Sequence, residues 1–345
     1  MLKVSKSELL IKIIFDLKKT DYFHKDIPAM SIYLKRNTLL SLCLMLVTSL
    51  AYTQDLDPRA YIWLPVKTNT LVSGFSYSHG GVVTDPTLPI QDLEASVQAA
   101  SLGYVHTFNL FGLTSQAMVA LPYSWAQVSG KVVGQQESIT RSGFADTRLR
   151  FTVLLHGAPA VGLADFVKAP KKTIVGLSLN VITPTGEFFP DKLINLGTHR
   201  WSFRPELALS QPLGKRWLID IYSGLWFFTK NYSFYPGNSL RTQQPMGAFQ
   251  THVSYNVTPR FWVAFNATYY VGGQSSINDL YNDDRVANAR IGITAVMPVG
   301  KSNSLKLSAS TGAVVRVGQD FTTFAIGWQR SWFGKTPKDN ASKLD

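Results

Sequence analysis

From Thr70 to Phe333 the chain passes through about a dozen stretches in which apolar and polar residues alternate one by one. The clearest sets Phe249, Thr251, Val253, Tyr255 and Val257 on one parity against Gln250, His252, Ser254 and Asn256 on the other. The next sets Phe261, Val263, Phe265, Ala267, Tyr269 and Val271 against Ala264, Asn266, Thr268 and Tyr270. Successive side chains of a strand point to opposite faces, so each stretch has one oily and one wet side. Hydrocarbon forbids open strand edges, because each unpaired backbone group there costs several kcal/mol. A closed sheet with its oily side to lipid and its wet side to water meets both demands. The fold class read from this pattern is all-β: a closed antiparallel up-and-down transmembrane β-barrel of about 12 strands in the bacterial outer membrane.

Composition fits that solution. Charged residues are 16% and mean hydropathy is +0.02. Soluble domains carry roughly 25% charge, and a bundle of membrane helices would be far more apolar. The net charge is +12; residues 1–53 hold eight Lys and Arg and four Asp and Glu, leaving 26 against 18 in the rest. No basic patch on a soluble fold is evident, so nucleic acid is not an expected partner.

The expected layout begins with processing. Leu39 to Ala51 is an apolar run too short to cross a bilayer as a helix, preceded by Lys35 and Arg36 and ending in small residues at Ser49 and Ala51. This is a secretory signal over residues 30–53, cleaved after Ala51 or just before Gln54. Met30 precedes it, so residues 1–29 read as an over-called start, the alternative being a long basic lead. The single cysteine, Cys43, lies inside the apolar run behind Leu42, where a lipoprotein signal needs a small residue. The mature chain therefore has no thiol chemistry. Residues 54–69 are expected as a periplasmic N-terminal segment, 70–333 as the barrel and 334–345 as a polar periplasmic tail.

Strands are expected at 70–79, 95–108, 112–125, 143–156, 173–183, 200–211, 216–230, 246–258, 260–274, 286–298, 303–316 and 321–333. Short links such as Asn109-Leu110-Phe111, Pro212-Leu213-Gly214-Lys215 and Thr258-Pro259-Arg260 belong on the periplasmic side. Longer polar links at 80–94, 127–142, 184–199, 231–245 and 275–285 belong outside. The link 157–172 is long on the short side, which a short periplasmic helix would explain. Trp201, Trp217, Trp226, Trp262, Trp328, Trp332 and Phe333 lie near strand ends, where aromatic girdles mark the membrane interfaces. Arg330 shares the parity of Trp328 and Trp332 and snorkels at the periplasmic rim.

Parity also assigns the lumen. An Arg or Lys on the lipid face at mid-depth costs about 2–4 kcal/mol. Arg148, Arg150, Arg204, Arg290, Lys306 and Arg316 are thus expected to face inward, together with Asp146, Glu206 and Asp220. Such a lumen would favour anions or polar solutes; equally, its charges would pair and plug a narrow interior. Arg200, Arg204 and Glu206 are expected to line a constriction beneath 184–199, or to pin strand register as a salt-bridged wall. Pro205, lacking an amide hydrogen, should weaken pairing locally.

Several stretches carry a family resemblance. They are Asp57-Pro58-Arg59-Ala60-Tyr61 with Leu64-Pro65-Val66, Gly80-Gly81-Val82-Val83 with Asp85-Pro86, Gly157-Ala158-Pro159-Ala160, and Pro184-Thr185-Gly186. Gln244-Pro245 and Gly272-Gly273 belong with them, and the most specific is Asn195 to Glu206 (NLGTHRWSFRPE). Over almost all of the mature part the chain resembles the bacterial family described as "Putative MetA-pathway of phenol degradation". The resemblance implies an outer-membrane barrel admitting aromatic or other hydrophobic compounds, and brings no catalytic residues. Expected partners are outer-membrane lipid, a small-molecule solute and the barrel-assembly machinery; no cofactor is expected.

Two rival functions come from the residues. His252, Ser254 and Asn256 share one face of one strand, the residue types of a lipid hydrolase, but parity puts them in the lumen, away from phospholipid esters. A plugged barrel that only displays loops is the other. His79, His106, His156, His199 and His252 are scattered without ligand spacing, so no metal site is expected. Asn278 to Asp284 (NDLYNDD) lacks the glycine and terminal glutamate of a calcium loop and reads as a solvated outer loop.

Overall fold

A computed structural model describes residues 56–83, 90–132, 135–192, 194–235 and 238–334. The expected extra start 1–29, the signal 30–53 and the tail beyond 334 lie outside the described residues. The strands are β1 (Thr68–Val83), β2 (Ile90–Leu110), β3 (Leu113–Val132), β4 (Gln135–Phe144), β5 (Arg148–His156), β6 (Ile174–Ile182), β7 (Ser202–Leu213), β8 (Trp217–Phe228), β9 (Asn231–Phe234), β10 (Ser239–Gln243), β11 (Met246–Asn256), β12 (Trp262–Gly272), β13 (Ser275–Ile277), β14 (Leu280–Tyr281), β15 (Val286–Val299), β16 (Asn303–Val314) and β17 (Gly318–Phe333). One helix, α1 (Leu163–Lys168), fills the long periplasmic link between β5 and β6.

Every wall pairing is antiparallel between chain neighbours, and β1 closes the ring on β17 from Thr68↔Phe333 to Val83↔Gly318. β4 and β5 both pair with β3 and form one strand broken at residues 145–147, so the wall is a closed barrel of twelve strands. The expected loops 231–245 and 275–285 contain β9, β10, β13 and β14, which make a separate four-stranded sheet at the outer end. Pro205 interrupts the β7–β8 ladder: pairs are formed at Phe203↔Phe227 and Glu206↔Gly224, with none between. The missing amide hydrogen is the cause.

Alternation sorts the wall as parity demands. Outward side chains include Phe75, Leu102, Leu121, Leu149, Phe151, Leu177, Leu207, Ile221, Phe249, Phe265, Ile293, Leu307 and Phe324, a continuous apolar band. Inward positions on the same strands include Thr, Ser, Asn, Gln, His and charged residues, many of them buried, together with small residues and a few aromatics. Phe265→Arg is expected to lower the folding free energy in phospholipid vesicles by about 2–4 kcal/mol. Gln127→Arg, placed above the band, should leave it unchanged.

Where the band ends, the two faces exchange polarity. The row Phe324–Tyr77–Gln98–Trp125 runs across β17, β1, β2 and β3 by direct pairing. Beyond it, β1 to β4 continue outward on the order of 20 Å at about 3.3 Å per residue. Their outer face turns polar, with His79, Glu94, Gln127 and Lys131. Their inner face turns apolar: Ala95 and Val128 pack with Val82, Leu93, Val97 and Ile139, and with Phe321 of β17 and Ile194 of the outer loop. Above lipid the outer surface meets water, so apolar side chains are buried only by pointing inward. Residues 80–94 and 127–142, expected as loops, are therefore largely strand.

Candidate functional site

Residues 54–69 are expected as a periplasmic segment; of their described part, Asp57 to Tyr61 contact inner-wall side chains of the barrel, and Thr68 and Asn69 already belong to β1. At the periplasmic mouth Val66 N donates to Val161 O (3.0 Å) and Lys67 N to Thr107 O (2.7 Å), and Thr68 Oγ1 caps Pro65 O (2.6 Å). Trp63 donates to Pro159 O and packs edge-on against Phe166 of α1, with ring centroids 4.9 Å apart. From there the chain climbs the lumen and makes polar contacts with strands around it.

Tyr61 is the central contact, with 0% exposure. Its hydroxyl donates to Glu206 Oε1 (2.9 Å) and lies 2.6 Å from Ser178 Oγ. Its ring lies 4.9 Å from that of Tyr222 and beneath the Arg150 guanidinium at 4.5 Å. Gly176 makes this possible, since a Cβ there would come within 2.5 Å of Tyr61 Cδ1. Below Tyr61, the Arg59 amide donates to Asp220 Oδ2 (3.2 Å) and its guanidinium to Asn256 Oδ1 (2.8 Å) while covering the Trp262 ring at 4.3 Å. Above it, Asp57 sits between Lys306 (3.2 Å) and Arg150 (3.6 Å).

The wall charges form one connected group. Glu206, 2% exposed, lies 3.5 Å from Arg150 and 3.3 Å from Arg204 Nε, and Arg204 stacks on Trp226 at 4.8 Å. Gly224 gives the Arg204 stem its room. Asp220 also accepts from Ser210 Oγ. Beside this group is a cavity of about 430 Å³ whose lining includes Arg148, Arg150, Arg204, Lys306, Asp57 and Glu206.

Other expected site residues lie elsewhere. Arg200 belongs to the outer loop, donating to Gln243 and covering Phe228 at 4.5 Å, outside the cavity. Burial, and then the like charge of Arg241, push its guanidinium down to about 9, with Asp146 opposing. Arg290 donates to the carbonyls of Gln319 (3.2 Å) and Phe321 (3.1 Å), near the outer end of β17. Arg316 is at the outer rim, past the end of β16, paired with Asp283 at 2.6 Å; it is not a lumen residue. Trp226 is no girdle residue: it is 7% exposed and shares the inward parity of Asp220 and Tyr222. Trp262 also faces inward, under Arg59, and Phe333 has the inward parity of Thr323 at the periplasmic mouth. Trp201, Trp217, Trp328 and Trp332 keep outward positions, and Tyr77, Tyr104 and Trp125 add to them.

The outer end is held by Asp146, at the break between β4 and β5. It accepts from Gly186 N (2.9 Å), Thr198 N (2.9 Å) and Thr198 Oγ1 (2.6 Å), drawing both ends of 184–199 onto the barrel. Hydrogen bonds to a charged group contribute about 1.5–3 kcal/mol each. Asp146→Ala is expected to speed proteolysis within 184–199 by at least about tenfold, with the heat-shifted electrophoretic migration of the folded barrel unchanged.

The hydrolase trio does not assemble. His252 Nδ1 lies 2.9 Å from Asn266 Oδ1 on the next strand, Asn266 donates to Thr294, and the Ser254 hydroxyl has no hydrogen-bond partner among the described residues. Ser254 is buried on the inner wall. Among the described residues no group of His, Cys, Asp and Glu has the geometry of a metal site.

A sequence profile of the family "Putative MetA-pathway of phenol degradation" matches residues 73–331. An outer membrane channel from Pseudomonas putida F1 superposes with a TM-score of 0.69 at 21% identity, covering 81% of this chain and 100% of that one. The transport unit of the autotransporter AIDA-I from Escherichia coli gives 0.48 at 8% identity over 81% and 94%. The β domain of the Bordetella autotransporter BrkA gives 0.46 at 12% over 77% and 100%. No curated protein matches this sequence.

Proposed function

The chain belongs to the family described as "Putative MetA-pathway of phenol degradation", and from that membership we propose that it is a narrow, passive outer-membrane conduit for small apolar or aromatic compounds. The observation that carries this reading is the lumen itself. A solid barrel would need no cavity, yet about 430 Å³ is open beside the charged group. The periplasmic half holds a single segment, residues 56–67, bound to the inner wall by hydrogen bonds, ion pairs and the apolar packing of Ala60, Tyr61 and Trp63. Outer-membrane lipid surrounds the wall, and the barrel-assembly machinery inserts it. The rival hydrolase needs a serine that meets lipid, and Ser254 does not.

The test is reconstitution. Purified protein in planar bilayers is expected to conduct in small steps, and proteoliposomes should take up small aromatic solutes faster than disaccharides. Absence of both conductance and uptake would leave the display-only barrel as the better reading. Hydrolysis of detergent-dispersed phospholipid that disappears in Ser254→Ala would favour the enzyme instead.

A further inference from the structure

We propose that the central cavity is a binding site for small organic acids, an apolar ring or short chain carrying one carboxylate or sulfonate, whose acid group takes the place now held by Asp57. The proposal deepens the conduit reading, on which it rests for the route but not for the binding itself.

Three observations converge. The first is charge. The cavity is lined by four cations, Arg148, Arg150, Arg204 and Lys306, and by two carboxylates, Asp57 and Glu206. Glu206 is committed to Arg150, Arg204 and the Tyr61 hydroxyl, and is almost fully buried. The carboxylate left facing Lys306 and Arg150 is therefore Asp57.

The second is the position of Asp57. Its carboxylate is taken up by Lys306 from β16 and by Arg150 from β5, at 3.2 and 3.6 Å, while its own side chain stays 56% exposed. It belongs to the inserted segment and not to the wall. A half-exposed carboxylate on a separable segment, clasped by two cations of the fixed wall, shows where an external carboxylate would bind. Ligand and Asp57 then compete for the same two donors. Charge-assisted hydrogen bonds of this kind are the strong ones, and both cations remain in place when Asp57 leaves.

The third is the apolar surround. Trp226, Tyr222, Met118 and Ile182 line the same cavity. A ligand needs an oily body to meet these side chains and an acidic head to meet the cations. A cavity of about 430 Å³ falls in the range that encloses small ligands, roughly 300–1,000 Å³.

The experiment is calorimetric titration of the full protein in a neutral detergent with benzenesulfonate, and in parallel with methyl phenyl sulfone, its uncharged counterpart. Benzenesulfonate is expected to bind at least about tenfold more tightly than the sulfone. Lys306→Gln should weaken the sulfonate at least about tenfold and leave the sulfone unaffected. Asp57→Asn should tighten the sulfonate, because it removes the internal competitor. That substitution lies outside the barrel wall, so it tests the idea even if the lysine variant fails to fold. Equal binding of the two probes, no binding of either, or weaker sulfonate binding by Asp57→Asn would overturn the proposal. Planar-bilayer conductance of the same preparation separates the two readings: a protein that binds benzenesulfonate but never conducts keeps the acid site and loses the conduit.

Discussion

Deleting residues 56–66 is expected to raise single-channel conductance in planar bilayers by at least about threefold, toward that of an open twelve-stranded lumen. The segment reaches from the periplasmic mouth to mid-depth and contacts β5, β6, β7, β8, β11, β12 and β16 as it passes. Its removal leaves the strand ladders intact, since it contributes no wall pairing. Gly176→Leu offers an independent route to the same state. Its Cβ alone would stand 2.5 Å from Tyr61 and 3.2 Å from Leu154, so Tyr61 must leave. Both variants should conduct more than the parent, with unchanged heat-shifted migration. A deletion variant with parental conductance would show that the narrowest point lies elsewhere, at the outer loop tied down by Asp146.

Glu206→Ala is the substitution expected to cost the most stability. Removing one partner from a buried charge group leaves the other charges uncompensated, a loss of about 3–5 kcal/mol. Here the carboxylate neutralises Arg150 and Arg204 and accepts from Tyr61, all inside the barrel. Among the described residues Arg150 then keeps Asp57, at 3.6 Å, as its carboxylate partner. Glu206→Gln retains an acceptor for Tyr61 and should lose less. Glu137→Gln, at an exposed position on β4, should lose nothing measurable. Denaturant unfolding in phospholipid vesicles gives the comparison, and a Glu206→Ala protein as stable as the parent would refute the idea that these charges form one group.

Much of this architecture was legible because a single physical rule, oily side to lipid and wet side to water, holds along most of the wall. The twelve strands and the inward positions of Arg150, Arg204, Glu206, Asp220 and Lys306 follow from it; the helix in 157–172 was legible from the length of that link, and the gap at Pro205 from its missing amide hydrogen. The strand ends at 79, 95 and 125 were misjudged for the same reason. Alternation does not stop there; it changes sign, and a pattern sought with one sign seems to end. Trp226 and Trp262 were misassigned by composition, since tryptophan near a strand end reads as girdle. Their parity with Asp220 and Asn266 carried the correct answer. Arg316 followed the inward parity of β16 beyond the last pair that β16 makes.

The inserted segment was the least legible part. Nothing in Asp57-Pro58-Arg59-Ala60-Tyr61 is periodic, and a short polar lead before a first strand is ordinarily left in water. The signal lay on the other side of the contact. Gly176 is a gap in the inner wall, paired with Ala208 and two residues from Ser178, which itself pairs with Glu206. A missing side chain beside a buried hydroxyl and carboxylate leaves room for an aromatic hydroxyl from elsewhere in the chain.

The row from Phe324 to Trp125 also acts as a waterline. Raising the bilayer against this side of the barrel by one outward row would press acyl chains onto His79, Ser96 and Gln127, and lowering it by one would wet Tyr77 and Trp125. The protein therefore has a fixed draught, and the surrounding leaflet must match it. In membranes thicker than the band, lipid rather than protein should deform, thinning around β1 to β4 before it does so around β11 to β16.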